Sequence, residues 1–260
     1  MFVLFTWALL AQSEECPSLL QKAEQAFQAR QFELAAAEFQ RALPACPQKL
    51  PILVSLGQIQ YLIGKETDAE ETLKSAIAID AKHTPAIYAL GRVYYQQKRY
   101  LEAVEKYKQV VALEPKHHRA WDNLGLCYDA LQMDSDALRS FFTALDIVMK
   151  SLPDYDWAHA NLADFFLRRN QYEKAFQLAA EAARRNPQSA RNAFLTAKAL
   201  VNLEKVDVST RWLEQAVKLD PTYPEPRYLL SQVYRKLGRK EDADRELVVF
   251  RELARKPRPR

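Results

Sequence analysis

Glycine is scarce, with five in 260 residues. A loop that cradles phosphate with successive backbone amides needs several glycines close together, so P-loop and dinucleotide-binding sites are excluded. No extended run alternates Val, Ile or Thr with polar residues. With 48% hydrophobic residues and no such alternation, the composition points to an all-helical fold. The four histidines, His83, His117, His118 and His159, form no His-Glu-x-x-His pattern and none lies beside a cysteine pair. No metal and no other cofactor is expected. His117-His118 reads as a solvated turn, and carboxylates such as Asp68, Glu70 and Glu71 read as solvated outer helix faces. Nothing in the sequence assembles a catalytic constellation, and the chain reads as a non-enzyme.

Charge of one sign is missing from most of the chain as well. The net charge is +4, and the C-terminal RELARKPRPR holds five Lys/Arg and one Glu, so the excess lies there and the remainder is neutral. The basic end, residues 255–260, is expected to be a disordered solubilising tail. No nucleic acid partner follows from so short a charge run.

What is present is a period. Gly57, Gly91 and Gly125 recur every 34 residues, each after a leucine and three residues before a tyrosine or an equivalent position, as in AIYALGRVYYQ and AWDNLGLCYDAL. A fixed period of that size marks a helical solenoid. In this register the units are 16–49, 50–83, 84–117, 118–155, 156–189, 190–223 and 224–257. The three glycines take position 8, where two helices of a hairpin approach closely, and Gly64 and Gly238 take position 15, the turn. Ala or Ser recurs at position 20 (Ala35, Ala69, Ala103, Ala137, Ala175, Ser209, Ala243) as a second close contact. Pro47, Pro115, Pro187 and Pro221 stop the second helix at position 32, while Pro17, Pro51 and Pro85 stand at position 2 near its partner's start. The fourth unit is 38 residues long. Its four extra residues match one helical turn, so the second helix is expected to extend through DSDALRSFFTALDIVMK.

These residues resemble the tetratricopeptide repeat family. Repeat four carries Trp121, Leu124, Gly125, Tyr128, Ala137, Phe141 and Ala144; repeat three carries Leu90, Gly91, Tyr94, Tyr100, Ala103, Tyr107 and Pro115; repeat five carries Leu162, Ala163, Phe166, Tyr172, Ala175, Ala182 and Pro187. Repeats one and six depart most, with Lys22 and Thr196 where leucine is usual. The resemblance implies an all-α, right-handed α-solenoid superhelix of antiparallel helical hairpins. It also implies that positions 2, 5, 6, 9, 12 and 13 of each first helix line a concave groove that binds polypeptide. Carried onto this chain, the groove candidates are Tyr88, Arg92, Tyr95, Asn123, Trp157, Asn161, Arg191, Phe194, Lys198 and Tyr228. The Lys/Asn clamp by which some members hold the terminal carboxylate of chaperone tails is not matched. Tyr88, Arg92, Trp157 and Asn161 stand at its positions and only Asn123 agrees.

Cysteine is also sparse, at three. In an antiparallel hairpin Cys16 at the start of the first helix and Cys46 after the second lie side by side, so a disulfide is expected, with two unpaired thiols as the alternative. Cys127 shares a helical face with Leu124 and reads as a small core residue. The leader MFVLFTWALLA has no charged residue, is followed by polar QSEE, and is too short to span a bilayer. A secretory signal is expected over 1–11, its end placed no later than about 15, and hence a periplasmic or secreted chain with no membrane span once mature. An apolar cap on repeat one, and a cytoplasmic location, are the other readings. The functional expectation is an interaction adaptor or scaffold for a polypeptide partner. Self-association through Leu247, Val248, Val249, Phe250 and Leu253 of the last helix, giving a homo-oligomer, and a cytoplasmic regulatory adaptor are the alternatives.

Overall fold

The computed structural model describes residues 3–152 and 154–255, with side chains from Glu15 onward. Among these residues there is no strand, only helices joined by short turns. Apart from backbone at Val3 to Ala11 and at Arg255, the expected leader and basic tail lie outside the described residues. The helices are α1 (Val3–Gln28), α2 (Phe32–Ala45), α3 (Lys49–Leu62), α4 (Glu66–Ile79), α5 (Thr84–Gln96), α6 (Tyr100–Leu113) and α7 (His118–Ala130), then α8 (Asp134–Ser151), α9 (Trp157–Arg168), α10 (Tyr172–Arg185), α11 (Ala190–Asn202), α12 (Val206–Leu219), α13 (Pro224–Lys236) and α14 (Lys240–Ala254). They form two compact units, α1–α7 and α8–α14. Inside each unit, neighbouring helices pack as antiparallel hairpins and one hairpin rests on the next, giving the all-α solenoid.

The turns explain the register. Position 15 of all seven units has positive φ: Gly64 (76°) and Gly238 (75°), but also Arg30 (58°), Lys98 (61°), Gln132 (59°), Asn170 (58°) and Glu204 (60°). A two-helix turn of this shape needs one left-handed residue, which glycine adopts without strain and other residues adopt at a cost. Close packing explains position 8. A Cβ on Gly57 would lie 2.6 Å from Leu73 Cγ, and one on Gly91 would lie 2.7 Å from Tyr107 Cε1, both below real contact distances. Tyr107 is 1% exposed and its phenol is pushed well above the usual range by burial. Cys127, expected in the core, is fully buried there and its thiol is pushed up to about 12 by burial.

Loops between repeats are held by side chains. Asp80 and Asp220 accept from the amides of Lys82 and Thr222 at 2.9 Å each, and Asn186 accepts from Gln188 at 3.2 Å, local turns that reverse the chain before the next helix. The next helix is then capped. Nδ1 of His83 accepts from Ala86 at 3.3 Å, Nδ1 of His117 from Ala120 at 3.1 Å, and Oγ of Ser189 from Asn192 at 3.2 Å. His117-His118 is therefore not a solvated turn. Both residues are half-buried, and burial lowers the pKa of both imidazoles below the usual histidine value.

Two expectations about helix ends meet different outcomes. Pro17 does not open the first helix, because α1 runs continuously from Val3 with Pro17 inside it and only the one amide lost. The extra four residues of the fourth unit do enter its second helix. α8 has 18 residues where α2, α4, α6, α10 and α12 have 14.

Candidate functional site

Several of positions 2, 5, 6, 9, 12 and 13 on α1, α3 and α5, with position 2 of α7, line one groove of about 770 Å³. Its floor is apolar, from Leu20 and Phe27 of α1 and Ile59 and Leu62 of α3, with Ser55 and Gln58 between them and Tyr88 and Arg92 of α5 beyond. His117 and Arg119 close that end, and Glu24 and Glu114 add two carboxylates to the walls. Phe27 and Leu62 remain 44% and 41% exposed, large apolar area that a ligand could remove from water.

Cys16 and Cys46 form part of the groove wall. They are joined by a disulfide with Cα atoms 5.1 Å apart, linking the start of the first repeat to the end of α2. The hairpin places the two positions beside each other, as the spacing implied.

Of the sequence candidates in this unit, Tyr88 and Arg92 line the groove and Tyr95 and Asn123 do not. Tyr88 is fixed from three sides. Its ring is 4.9 Å from His117 and 5.7 Å from Tyr107, and its hydroxyl accepts from Asn123 Nδ2 at 2.9 Å. Burial raises its phenol above the usual value. Asn123 is thus committed to Tyr88 and does not line the groove. Tyr95 packs edge-on to Tyr100 at 5.5 Å and against the core. The guanidinium of Arg92 lies 4.5 Å from the ring centre of Tyr61.

In α8–α14 the remaining six candidates divide into two groups. Trp157 is 54% exposed and Arg191 lies 5.2 Å over its ring, while Arg191 Nη2 donates to Asn161 Oδ1 at 2.8 Å. Asn161 is only 3% exposed, so it positions Arg191 from below. Phe194, Lys198 and Tyr228 line a second cavity of about 660 Å³ with Val201, Leu229 and Phe250. Tyr228 and Phe250 stack at 5.0 Å, and Phe194 meets Tyr223 edge-on at 5.4 Å.

The sequence reading missed the floor of the first groove because it took positions only from repeat three onward. The same positions in repeats one and two give Leu20, Phe27, Ser55, Gln58 and Leu62, all of which line it. Among the described residues no three His, Cys, Asp or Glu side chains are placed to share a metal ion, and no helix is long and apolar enough to cross a membrane.

Comparison with known proteins gives the fold a name. Residues 20–83 match the family described as tetratricopeptide repeat, and residues 91–132 match the one described as TPR repeat. No curated protein sequence matches. A tetratricopeptide repeat protein from Parabacteroides merdae superimposes with a TM-score of 0.72 at 19% identity, over 92% of this chain and 93% of that one. Pseudomonas aeruginosa pilF does so at 0.67 and 21% identity, over 85% and 99% of the two chains. YrrB, described as a TPR protein with an unusual peptide-binding site, gives 0.53 at 16% identity over 71% and 93%.

Proposed function

Since the chain is a tetratricopeptide-repeat protein, recognised as such over residues 20–83 and 91–132, we propose that it is a non-enzymatic adaptor that binds a polypeptide segment in the groove of α1–α7. The repeat family is a protein-interaction scaffold, and the observation that carries the specific reading is the apolar-floored groove of about 770 Å³. Its large exposed side chains, Phe27 and Leu62, line the same groove as a fixed tyrosine and a fixed arginine, a mixture suited to an extended segment with apolar anchors. The peptide-binding site of YrrB supports the class of ligand. Affinity capture from the native source, followed by mass spectrometry, tests it. Polypeptides held by the wild-type chain should be lost from Gln58→Trp, which fills the groove from an exposed position. Equal capture by both would end the groove reading.

We further propose export to an oxidising compartment, the periplasm or the exterior. The Cys16–Cys46 bridge supports this, because such bonds persist where thiols are not kept reduced. Mass analysis of the protein made in its own host should show loss of about 11 residues and of the two thiol hydrogens. An intact Met1 with free thiols would favour the cytoplasmic regulatory adaptor instead. One observation supports self-association as a second reading: Val248 on α14 is 52% exposed, and its neighbours Leu247, Val249 and Phe250 are only half-buried. Light scattering separates it, since a clean monomer across a concentration series would end it.

A further inference from the structure

We propose that the segment bound in the α1–α7 groove is acidic, and that Arg92 is the group that holds its carboxylate. This rests on the groove reading above and adds the ligand's chemistry. Six arginines are half-buried: Arg92, Arg99, Arg169, Arg185, Arg191 and Arg227. Four of them have a carboxylate. Arg99 pairs with Glu70 at 2.7 Å, Arg185 with Glu181 at 2.8 Å, Arg227 with Glu246 at 2.8 Å, and Arg169 with Asp134. Arg92 and Arg191 have no carboxylate partner among the described residues.

These two share a further property. Each stands on an inner helix and lies over an aromatic ring of the preceding inner helix, Arg92 over Tyr61 at 4.5 Å and Arg191 over Trp157 at 5.2 Å. Partial burial without a counter-charge is unfavourable for a guanidinium, and the four paired arginines show that this chain elsewhere corrects it. A ring face compensates in part and, in doing so, fixes the plane of the guanidinium before any ligand arrives. The N–H groups on one edge of the Arg92 guanidinium match the two oxygens of a carboxylate, whereas Arg191 already spends Nη2 on Asn161. Arg92 is therefore a pre-oriented, uncompensated anion receptor in the wall of a groove.

The rest of the groove narrows the partner. Glu24 and Glu114 line it too, so a polyanion such as a nucleic acid strand would be repelled along its length. The floor of Leu20, Phe27, Ile59 and Leu62 requires apolar side chains beside the acid. A polypeptide with one Asp or Glu flanked by Leu, Ile or Phe satisfies both conditions. The chain matches the family's terminal-carboxylate clamp only at Asn123, so the carboxylate is assigned to a side chain within the segment.

The test uses the full chain and a random pool of 12-residue peptides, acetylated and amidated so that no terminal charge remains. Peptides enriched on wild type and displaced by Gln58→Trp should carry Asp or Glu next to an aliphatic or aromatic residue. For one such peptide, Arg92→Gln and the peptide's own Glu→Gln should each weaken binding roughly 10- to 100-fold, as expected for a charge-assisted pair. The two changes together should cost little more than either alone, and Arg92→Lys should restore part of the affinity. Circular dichroism of each variant confirms that the helices are intact. A merely structural Arg92 would instead give additive losses, which overturns the proposal while leaving the groove in place. Enrichment of groove peptides without carboxylates overturns it equally. If no enriched peptide is displaced by Gln58→Trp, the groove reading itself falls and this inference with it.

Discussion

Gly91→Ala should destabilise the protein even though alanine is the better helix former. Gly91 lies in the middle of α5, where exchange to alanine alone would stabilise by about 1 kcal/mol. The added methyl, however, would lie 2.7 Å from Tyr107 Cε1 and 3.0 Å from its Cδ1 and Cζ. The ring cannot swing out, because Tyr107 is 1% exposed and also meets Tyr88 at a ring distance of 5.7 Å. Overpacking of this kind costs about 1–3 kcal/mol, and with a rigid buried ring as the obstacle we take the upper part of that range, leaving a net loss of about 1–2 kcal/mol. For a chain of this size that is a fall in Tm of roughly 2–8 °C. Repeat six provides the control. Its positions 8 and 24 hold Ala197 and Leu213, both fully buried in one core cluster, so alanine opposite leucine already packs in this fold. Gly91→Ala should therefore cost at least 1 kcal/mol less in a Tyr107→Leu background than in wild type. Urea unfolding followed by circular dichroism reads all four members of the cycle. An alanine variant as stable as wild type, or an additive cycle, would refute the account of position 8.

Other perturbations probe separate parts of the structure. Gly238→Ala meets no atom within 4 Å, so its cost, about 1 kcal/mol in urea unfolding, comes only from forcing an L-residue to a φ of 75°. Reducing the Cys16–Cys46 bridge releases a 30-residue loop and should lower stability by about 3.5 kcal/mol, read as a drop in Tm on adding a dithiol. His159 is 4% exposed and burial, aided by Arg185, lowers its pKa from 6.5 to about 4. Its neutral form is favoured only in the folded chain, so its contribution is complete above pH 6.5 and lost as pH falls towards 4, up to about 3 kcal/mol. Glu181, lowered to about 2 by Arg184 and Arg185, loses its own contribution only below pH 4.5. His159→Gln should thus flatten the stability curve between pH 6.5 and 4, and an unchanged slope there would contradict this.

The repeat was legible because its marks are steric necessities. Gly57 and Gly91 stand where a Cβ would strike the facing helix, and Gly64 and Gly238 where the backbone turns left-handed. Lys98 and Glu204 adopt the same conformation and give no sign of it, since a non-glycine residue can pay that strain locally. The lengthened α8 followed from the match of four residues to one turn. Site residues were harder to read. Asn123 and Asn161 occupy groove positions by register, but a hydrogen bond commits the first to Tyr88 and burial places the second beneath Arg191. His83 and His117 cap helices, a role that Ser, Thr, Asp and Asn advertise and histidine does not. Glu70, which looks like a free outer-face carboxylate, holds Lys74, Gln97 and Arg99 together, so Glu105, with 67% of its side chain exposed, is the sounder outer-face reference.

The most direct test of polypeptide binding in the α1–α7 groove is site-specific photo-crosslinking in the native host. A benzophenone side chain is placed singly at Gln58 or Pro85, both in the groove wall, or at Glu105 on the outer surface. The account predicts a discrete polypeptide adduct from the two groove positions and none from Glu105. Adducts from Glu105 with none from the groove would contradict it and place the partner on the outer face.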